Sequence, residues 1–325
     1  MDAFVEKLKE IHPEVHVKQD ELLLPYTSFK CGGHARYIAL IDNLETLSDV
    51  AIYAWENGVA VRVVGGGTNI LVPDDGFDGL VIKNNCRRFD LQGMRGRFTN
   101  NQMKLSQGYL YAESGALMNQ VVRYVIDQGF GGIEYSLGLP GTVGGAVAVN
   151  SNFPKENIRI GRAVYAAKIL TKDGGIKDVD SSYFHFSPER SRILADREII
   201  LSLLFALYPD DKTKLWKRAE EAVSYRTTTQ PKQQLTGMTF RNVQITCIYP
   251  NSSLPSDVTY EFLLEKAGIL GFRVGNVEIW PDNPRYILNR GNGTEEDVKQ
   301  LIAHIKTTIL RRFGVQLDIQ LHSIT

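Results

Sequence analysis

The chain has 325 residues, and its 37 Lys and Arg residues balance 37 Asp and Glu residues, so the formal net charge is zero. This balance gives no support for the basic surface that nucleic-acid binding usually requires. The length allows two or three compact units with a large core, and no long apolar run predicts a membrane span.

The first two thirds of the chain mix predicted helices and strands. Apolar periodicity predicts helices over Ala3–Ile11, Leu44–Asn57 and Leu117–Gln128. Aliphatic and β-branched runs predict strands, namely Val61–Val64, one beginning at Ile70–Val72, Leu80–Lys83, Val164–Leu170 and Ile199–Leu207. We expect Phe89–Glu113 to hold short strands around a polar loop, Arg95–Gln102.

The polar segment Pro209–Lys212 predicts a domain boundary, beyond which the pattern is again mixed. The predicted helices are Lys214–Thr227, Tyr260–Gly268 and one that starts after Thr294 and ends near Arg312. The predicted strands are Met238–Ile248, Tyr286–Asn289 and Val315–Leu321. The elements together indicate an α+β protein.

Two glycine-rich stretches are the main candidates for a ligand site. The first is Gly65, Gly66, Gly67, Thr68, Asn69 and Ile70, and the second, Ser136–Asn150, contains Gly138, Pro140, Gly141, Thr142, Gly144, Gly145, Ala146 and Val147. Glycines leave backbone N–H groups uncovered, which lets a pyrophosphate approach the main chain. Either stretch alone is a weak signal, but together they favour one extended nucleotide cofactor.

Other site patterns are missing from the sequence. The six histidines form no H-E-x-x-H or other close ligand set, so no metal is expected. Cys31, Cys86 and Cys247 are far apart, which argues against disulfides and predicts small buried side chains in a cytoplasmic protein. The first glycine stretch lacks the third glycine and the helix of a Rossmann site, and the charged N-terminus does not predict a signal peptide.

Ordered motifs along the chain resemble the UDP-N-acetylenolpyruvoylglucosamine reductase (MurB) family. In the N-terminal half they are Tyr26–Gly33, Gly65–Val72 with Gly76–Gly79, and Gly138–Ala146. In the C-terminal half they are Arg226 to Pro231, Gly237–Asn242, Leu264–Gly268 and Phe313–Leu317. The resemblance therefore covers nearly the whole chain and is most specific in its first two thirds.

The resemblance implies an FAD enzyme of the family's shorter subclass. The flavin would be held by two α+β subdomains of the vanillyl-alcohol-oxidase (PCMH) type, 1–84 and 85–208. A C-terminal domain, 213–325, would close over a UDP-sugar. The last strand of the chain either stays in this domain or returns to the FAD domain. NADPH would reduce the flavin, which passes hydride to an enolpyruvyl ether to give UDP-N-acetylmuramate for peptidoglycan. Because no His or Cys stands in the first glycine stretch, we expect non-covalent FAD.

The resemblance also implies residues that contact the substrate. The family uses an Arg to stabilise the reaction intermediate, and Arg190 matches it, with Arg192 as the alternative. Asn242 matches a substrate-contacting Asn, and Asn283 stands where the family uses His or Gln. Trp280 and Arg285 have two interpretations. They are either altered residues that select a different substrate, or an ordinary packed Trp and a solvated Arg.

Two catalytic positions depart from the family pattern. The family's proton-donating Ser is Met238 in this chain, and its Glu is Gln320. Neither a thioether nor an amide can act as a general acid. Asp318 and His322 would share a strand face with Gln320, since side chains alternate along a strand, and are the candidate substitutes for the missing groups.

Three functions are compatible with these departures. The first is a reductase of cell-wall precursor synthesis with a relocated proton donor. The second is a flavoenzyme that acts on another substrate, for instance a nucleotide-linked one, without protonating a carbon, and the third is a non-catalytic FAD- or ligand-binding protein. No membrane or nucleic-acid partner is expected, and the sequence leaves the oligomeric state open.

Overall fold

The computed structural model describes residues 2–99, 102–188, 190–231, 237–239, 242–247, 258–320 and 323–324. Contacts divide the chain into two units. The first comprises Met1–Gln19, Arg36–Gly66 and Asp78–Arg226, and the second comprises Asp20–Ala35, Gly67–Phe77 and Thr227–Thr325. The second unit therefore includes two segments from the N-terminal part of the chain, and the expected division into 1–84, 85–208 and 213–325 remains a prediction.

Most of the predicted helices and several of the predicted strands are present. The helices are α1 (Ala3–Ile11), α2 (Leu44–Glu56), α3 (Met118–Asp127), α4 (Val143–Ala148), α5 (Arg192–Asp196), α6 (Lys212–Thr229), α7 (Tyr260–Ala267) and α8 (Glu295–Phe313). The strands are β1 (Val17–Leu22), β2 (His34–Ile41), β3 (Ala60–Val64), β4 (Phe77–Asn84), β5 (Phe89–Thr99), β6 (Gln102–Glu113), β7 (Phe130–Gly131), β8 (Asn152–Phe153), β9 (Ile158–Arg159), β10 (Val164–Leu170), β11 (Ile176–Asp180), β12 (Ile199–Pro209), β13 (Gly237–Thr239), β14 (Asn242–Cys247), β15 (Arg273–Val274), β16 (Val277–Ile279), β17 (Tyr286–Asn289) and β18 (Val315–Gln320). Among the described helices, none is both long enough and apolar enough to cross a bilayer.

The first unit contains two large sheets, each with its own core, and the short strand pair β8-β9. One sheet has the strand order β1-β2-β4-β3, and α1 and α2 pack their apolar faces on it. The other has the order β11-β10-β12-β6-β5, and α3, α4 and α6 pack against it. The apolar residues of α3 that were predicted to share one face, such as Val121 and Val125, are fully buried there.

The predicted strand at Ile70–Val72 is wrong. Strand β3 pairs in parallel with β4, which begins only at Phe77, and parallel neighbours cannot be joined by a tight turn. The glycine stretch therefore opens a long connection between them. Leu71 makes a single isolated bridge to Ser323 and is buried in the core of the second unit, so packing rather than strand pairing explains the apolar run.

The predicted polar loop Arg95–Gln102 is also wrong. Strands β5 and β6 form one long hairpin whose pairing continues out to Thr99 opposite Gln102. Polar side chains such as Gln92 and Arg95 are exposed along it. A ladder pairs the main chain while its side chains stay in water, so polarity alone did not mark a loop.

The second unit surrounds a core formed mainly by α7, α8 and short strands. Its four-stranded sheet has the order β13-β17-β16-β15, and β14 pairs separately with β18. The predicted single strand Met238–Ile248 is therefore wrong, because its two ends, β13 and β14, pair in different sheets. The expected helix after Thr294 is confirmed, with a capping box between Thr294 and Asp297.

Asp74 caps the N-terminus of α8. It lies in the connection between β3 and β4, after the glycine stretch. Its two carboxylate oxygens accept hydrogen bonds from the backbone N–H groups of Glu295 and Glu296, at 2.8 and 3.0 Å. A carboxylate at a helix N-terminus satisfies unpaired N–H groups and interacts favourably with the helix dipole. The contact thus attaches segment Gly67–Phe77 to the second unit.

We expect Asp74→Ala to lower the free energy of unfolding of the second unit by about 1 kcal/mol, the usual effect of losing a helix cap. The neighbouring Asp75→Ala is the control, because the Asp75 side chain accepts no hydrogen bond from a described residue. Urea unfolding followed by circular dichroism measures both. Equal losses in the two variants would contradict the capping role.

Candidate functional site

The two glycine stretches meet at Gly65 and Thr142, although 77 positions separate the two residues in the sequence. A Cβ atom placed on Gly65 would overlap Thr142 Oγ1 and lie 3.0 Å from Thr142 Cγ2. No side chain fits between the two segments. The sequence predicted that one ligand would lie across both stretches, and the structure brings this part of them together.

Two amides of the first stretch, those of Gly66 and Gly67, remain available to a ligand. Among the described residues, none accepts a hydrogen bond from the backbone N–H of Gly66 or of Gly67. The Gly67 carbonyl, by contrast, accepts from Ser28 N at 2.8 Å, and a Cβ on Gly67 would lie 3.0 Å from Thr27 Cα. Close packing fixes one side of the turn while the N–H groups can still meet an anion.

The second stretch uses its amides differently from what we expected. Val143 N donates to Ala116 O at 2.9 Å, Gly144 N donates to Ser114 O at 2.8 Å, and Gly145 N donates to Thr142 Oγ1 at 3.3 Å. These groups are therefore engaged within the fold. The glycines allow close packing instead, since a Cβ on Gly144 would lie 2.6 Å from Ser114 Cβ. Binding of a cofactor by this stretch remains a prediction.

Lys83 is a cation beside the first stretch that the sequence analysis missed. It is partly buried, pairs with Val64 across β3 and β4, and donates to the carbonyl of Gly65. No described carboxylate forms an ion pair with it. Burial lowers the pKa of the ammonium, and the nearby Arg87 lowers it further. The sequence does contain a signal for Lys83, because it is a charged residue at the end of the otherwise apolar predicted strand Leu80–Lys83.

This turn fits the pyrophosphate of a dinucleotide. The amides of Gly66 and Gly67 are uncovered, and no side chain can be placed at Gly65. The Lys83 ammonium has no carboxylate partner among the described residues. Backbone N–H groups and a Lys are a common combination for phosphate oxygens. Within the described ranges, no three His, Cys, Asp or Glu side chains gather as a metal site would require. Cys31 and Cys86 are buried as expected, and burial raises the pKa of each thiol to about 12, so both remain protonated.

Arg190 and Arg192, the two alternatives for the family's Arg, differ sharply in their contacts. Arg192 Nε lies 2.5 Å from Asp196 Oδ2, and its guanidinium carbon lies 4.3 Å from the ring centre of Tyr183. Arg190 is exposed, and its side chain forms no ion pair or hydrogen bond with a described residue. The structure thus leaves Arg190 available to an anionic substrate and occupies Arg192.

Met238 and Gln320, the residues predicted to stand at the family's Ser and Glu positions, lie in the second unit. Met238 is paired with Ile287 in β13 and β17, and Gln320 is paired directly with Asn242 in β14 and β18. The register thus places a predicted substrate residue opposite the Glu position. Asp318 lies two residues before Gln320 on β18, whereas His322 lies outside the described residues.

Asn283 and Arg285 already have partners within the second unit. Asn283 Nδ2 donates to Thr229 O at 2.8 Å, and Asn283 Oδ1 accepts from Arg285 N at 3.2 Å. The Arg285 guanidinium forms an ion pair with Glu261. Trp280 packs edge-on against Tyr286, with ring centres 6.0 Å apart. These contacts favour the structural interpretation, and a substrate role remains a prediction.

The fold and the glycine turn define the class of protein, an FAD-binding oxidoreductase. Residues 35–180 match the sequence profile "FAD binding domain", and residues 230–324 match "UDP-N-acetylenolpyruvoylglucosamine reductase, C-terminal domain".

The full-length relatives identify the family. A reductase of that name from Caldicellulosiruptor saccharolyticus is 31% identical over 312 residues, covering 94% of this chain and 91% of the relative. Another from Rubrobacter xylanophilus is 33% identical over 304 residues, covering 93% of each chain. The chain belongs to the UDP-N-acetylenolpyruvoylglucosamine reductase (MurB) family.

A solved structure supports the fold independently. The MurB reductase from Thermus caldophilus matches with a TM-score of 0.72 at 24% identity, covering 95% of this chain and 99% of that one. The predicted α+β flavoprotein fold, the FAD cofactor and the assignment as an enzyme are confirmed.

We expect Gly65→Ala to destabilise the first unit by about 1–3 kcal/mol, the usual effect of overpacking, and to lower the FAD content of purified protein. Gly93→Ala is the control, since no heavy atom lies within 4 Å of a Cβ at that strand position. Thermal unfolding and flavin absorbance measure both effects.

A second background tests whether Thr142 is the cause. Thr142→Ala removes the Oγ1 and Cγ2 atoms that a new Cβ would meet. Gly65→Ala should therefore cost less stability in the Thr142→Ala protein than in the natural one. The same loss in both backgrounds would show that the clash lies elsewhere.

We expect Lys83→Met to raise the dissociation constant of FAD about tenfold, because a hydrogen bond from a charged donor contributes about 1.5–3 kcal/mol. Lys83→Arg should retain most of the affinity. Titration of the apoprotein by flavin fluorescence at two salt concentrations measures this, and the salt dependence should weaken in Lys83→Met. An equal change in Lys177→Met, at an exposed lysine of β11, would point to a general charge effect.

Proposed function

We propose that this chain is a UDP-N-acetylenolpyruvoylglucosamine reductase that uses NADPH and FAD to reduce the enolpyruvyl ether of a UDP-sugar in peptidoglycan precursor synthesis. The observation that carries the proposal is the identity of 31–33% with reductases of that name over more than nine tenths of each chain. The bound flavin would supply hydride chemistry, accepting a hydride from NADPH and delivering it to the substrate.

The protein's own residues would bind and polarise the substrate. Arg190 is exposed and its side chain has no described partner, so its guanidinium suits the substrate carboxylate and the negative charge that develops next to it during hydride transfer. Arg192 is held by Asp196 and Tyr183 and is the weaker choice. Gly66, Gly67 and Lys83 would hold the cofactor's pyrophosphate.

Proton delivery is the step for which this chain differs from the family pattern. Hydride addition to the enolpyruvyl group leaves a carbanion-like carbon that must gain a proton. Met238 cannot donate one and Gln320 does not ionise. We propose that the proton comes from another group or from water, with Asp318 and His322 as the protein groups nearest in sequence to Gln320.

The same two residues favour a second candidate function. A flavoenzyme that oxidises or reduces a different sugar nucleotide without protonating a carbon would tolerate both Met238 and Gln320. It would retain the cofactor site and the family's fold. The two functions differ in which substrate reoxidises the reduced flavin.

An anaerobic two-step assay tests the proposal. NADPH should bleach the flavin absorbance of the holoenzyme, and addition of the enolpyruvyl UDP-sugar should restore it. UDP-N-acetylglucosamine, which lacks the enolpyruvyl group, is the control and should leave the flavin reduced. Reoxidation by another sugar nucleotide, with no response to the enolpyruvyl substrate, would overturn the proposal in favour of the second function.

We expect the double variant Met238→Ser with Gln320→Glu to turn over the enolpyruvyl substrate faster, since a positioned general acid typically contributes about 10²–10⁴-fold. Met238→Ala with Gln320→Ala is the control, because it changes the same positions without adding an acid. Single-turnover reoxidation measures the rate. A rate no higher than that of the natural protein would contradict the alignment of these positions with the family's Ser and Glu.

A further inference from the structure

The turn that carries Arg190 is closed by main-chain hydrogen bonds. Arg190 N donates to Ser187 O at 3.2 Å, and Ser187 N donates to Arg190 O at 3.1 Å. Arg190 itself is exposed, so its own side chain does not fix the turn. The position of the guanidinium therefore depends on what holds Ser187.

Asn150 holds that carbonyl from the end of the second glycine stretch. Its Nδ2 donates to Ser187 O at 3.0 Å, so Ser187 O accepts from Asn150 and from Arg190 at once. The Asn150 side chain is buried, with 3% exposure. A buried amide that donates to one particular carbonyl fixes the position of that carbonyl, because losing the bond leaves both groups unsatisfied.

The rest of Asn150 is equally constrained. Its Oδ1 accepts from Gly161 N at 3.1 Å, and its backbone N donates to Val147 O at 2.9 Å, at the end of α4. Its φ of +45° is a left-handed conformation that Asn tolerates better than most residues. Both the backbone and the amide of Asn150 therefore suit this one position.

Ser191 secures the other side of the turn. It is buried, and its Oγ donates to the carbonyl of Ala148 at 2.6 Å. Ser187 and Ser191 are thus both attached to the C-terminal end of α4. Ser187 is attached through the side chain of Asn150, and Ser191 through its own hydroxyl group.

We infer that Asn150 is a positioning residue that fixes the Arg190 turn to the C-terminal end of α4 and so holds the guanidinium ready for the substrate carboxylate. The inference rests on the proposed function for its chemistry and on the hydrogen bonds of the turn for its geometry. Asn150 donates to the same carbonyl that closes the turn, so its loss should release Arg190 while leaving the cofactor's glycine turn intact.

Asn150→Asp tests the inference with little change in shape. The carboxylate retains an acceptor for Gly161 N but cannot donate to Ser187 O. We expect reoxidation of the reduced flavin by the enolpyruvyl substrate to slow between tenfold and a hundredfold, the order expected when a catalytic group is misplaced by about 1 Å. Bleaching by NADPH should be unchanged, because the role proposed for Arg190 belongs to the reduction of the enolpyruvyl substrate. Equal slowing of both steps would overturn the inference.

The Arg190→Ala protein is the background that shows whether Asn150→Asp acts by misplacing Arg190 or by lowering stability. If Asn150 acts through Arg190, Asn150→Asp should slow reoxidation no further in the Arg190→Ala protein. Asn157→Asp is the matched control, since Asn157 is also left-handed, with a φ of +49°, but is exposed. It should leave both half-reactions unchanged. Fully additive losses in the double variant would overturn the inference.

Amide hydrogen exchange tests the geometry without any substrate. Peptides spanning 184–192 should exchange faster in Asn150→Asp than in the natural protein, while peptides from the glycine turn should not. Unchanged exchange in 184–192 would refute the positioning role even if the reductase is active. If the natural protein fails to respond to the enolpyruvyl substrate, the proposed function fails, and the exchange result still decides the inference.

Discussion

The first unit depends on the close approach of Gly65 to Thr142, which leaves no room for a side chain. Thr142 caps the N-terminus of α4, a helix of six residues and thus about 9 Å long. The other end of α4 leads into Asn150, whose amide holds the Arg190 turn. One short helix therefore connects the glycine turn predicted to bind the cofactor with the arginine proposed to act on the substrate, and an error in packing at Gly65 would be transmitted to both.

The packing of α4 explains why its sequence is so rich in small residues. Val143 and Val147 are fully buried, and Gly144 packs on the main chain of Ser114. Ser114 also accepts a hydrogen bond from Asn84 at 2.8 Å, which ties the end of β4 to the same point. Since the amides of Val143 and Gly144 are used within the fold, the role of these glycines is close packing. Free amides for an anion are found in the first stretch.

The second unit is held together by polar contacts between segments far apart in the chain. Asn289 is buried, and its amide donates to the carbonyl of Phe29 at 2.8 Å, while its oxygen accepts from Gly291 N and Gly293 N. Asp74 caps α8 from another distant segment. These bonds explain why two N-terminal segments, with the motif around Phe29, belong to the C-terminal unit. Met238 and Gln320, predicted to stand where the family has Ser and Glu, lie in this unit as well.

The sequence by itself determined most helices, the α+β class and the family, because helix caps, apolar periodicity and ordered glycine motifs are local signals. It also identified both glycine stretches. Only the tertiary structure decided that Ile70–Val72 is not a strand and that Met238–Ile248 divides between two sheets, since strand pairing depends on partners far away in the chain. For the same reason, the sequence could not separate Arg190 from Arg192 or reveal Lys83 and Asn150. The roles proposed for them rest on contacts with Asp196, Gly65 and Ser187, which only the folded chain brings within reach.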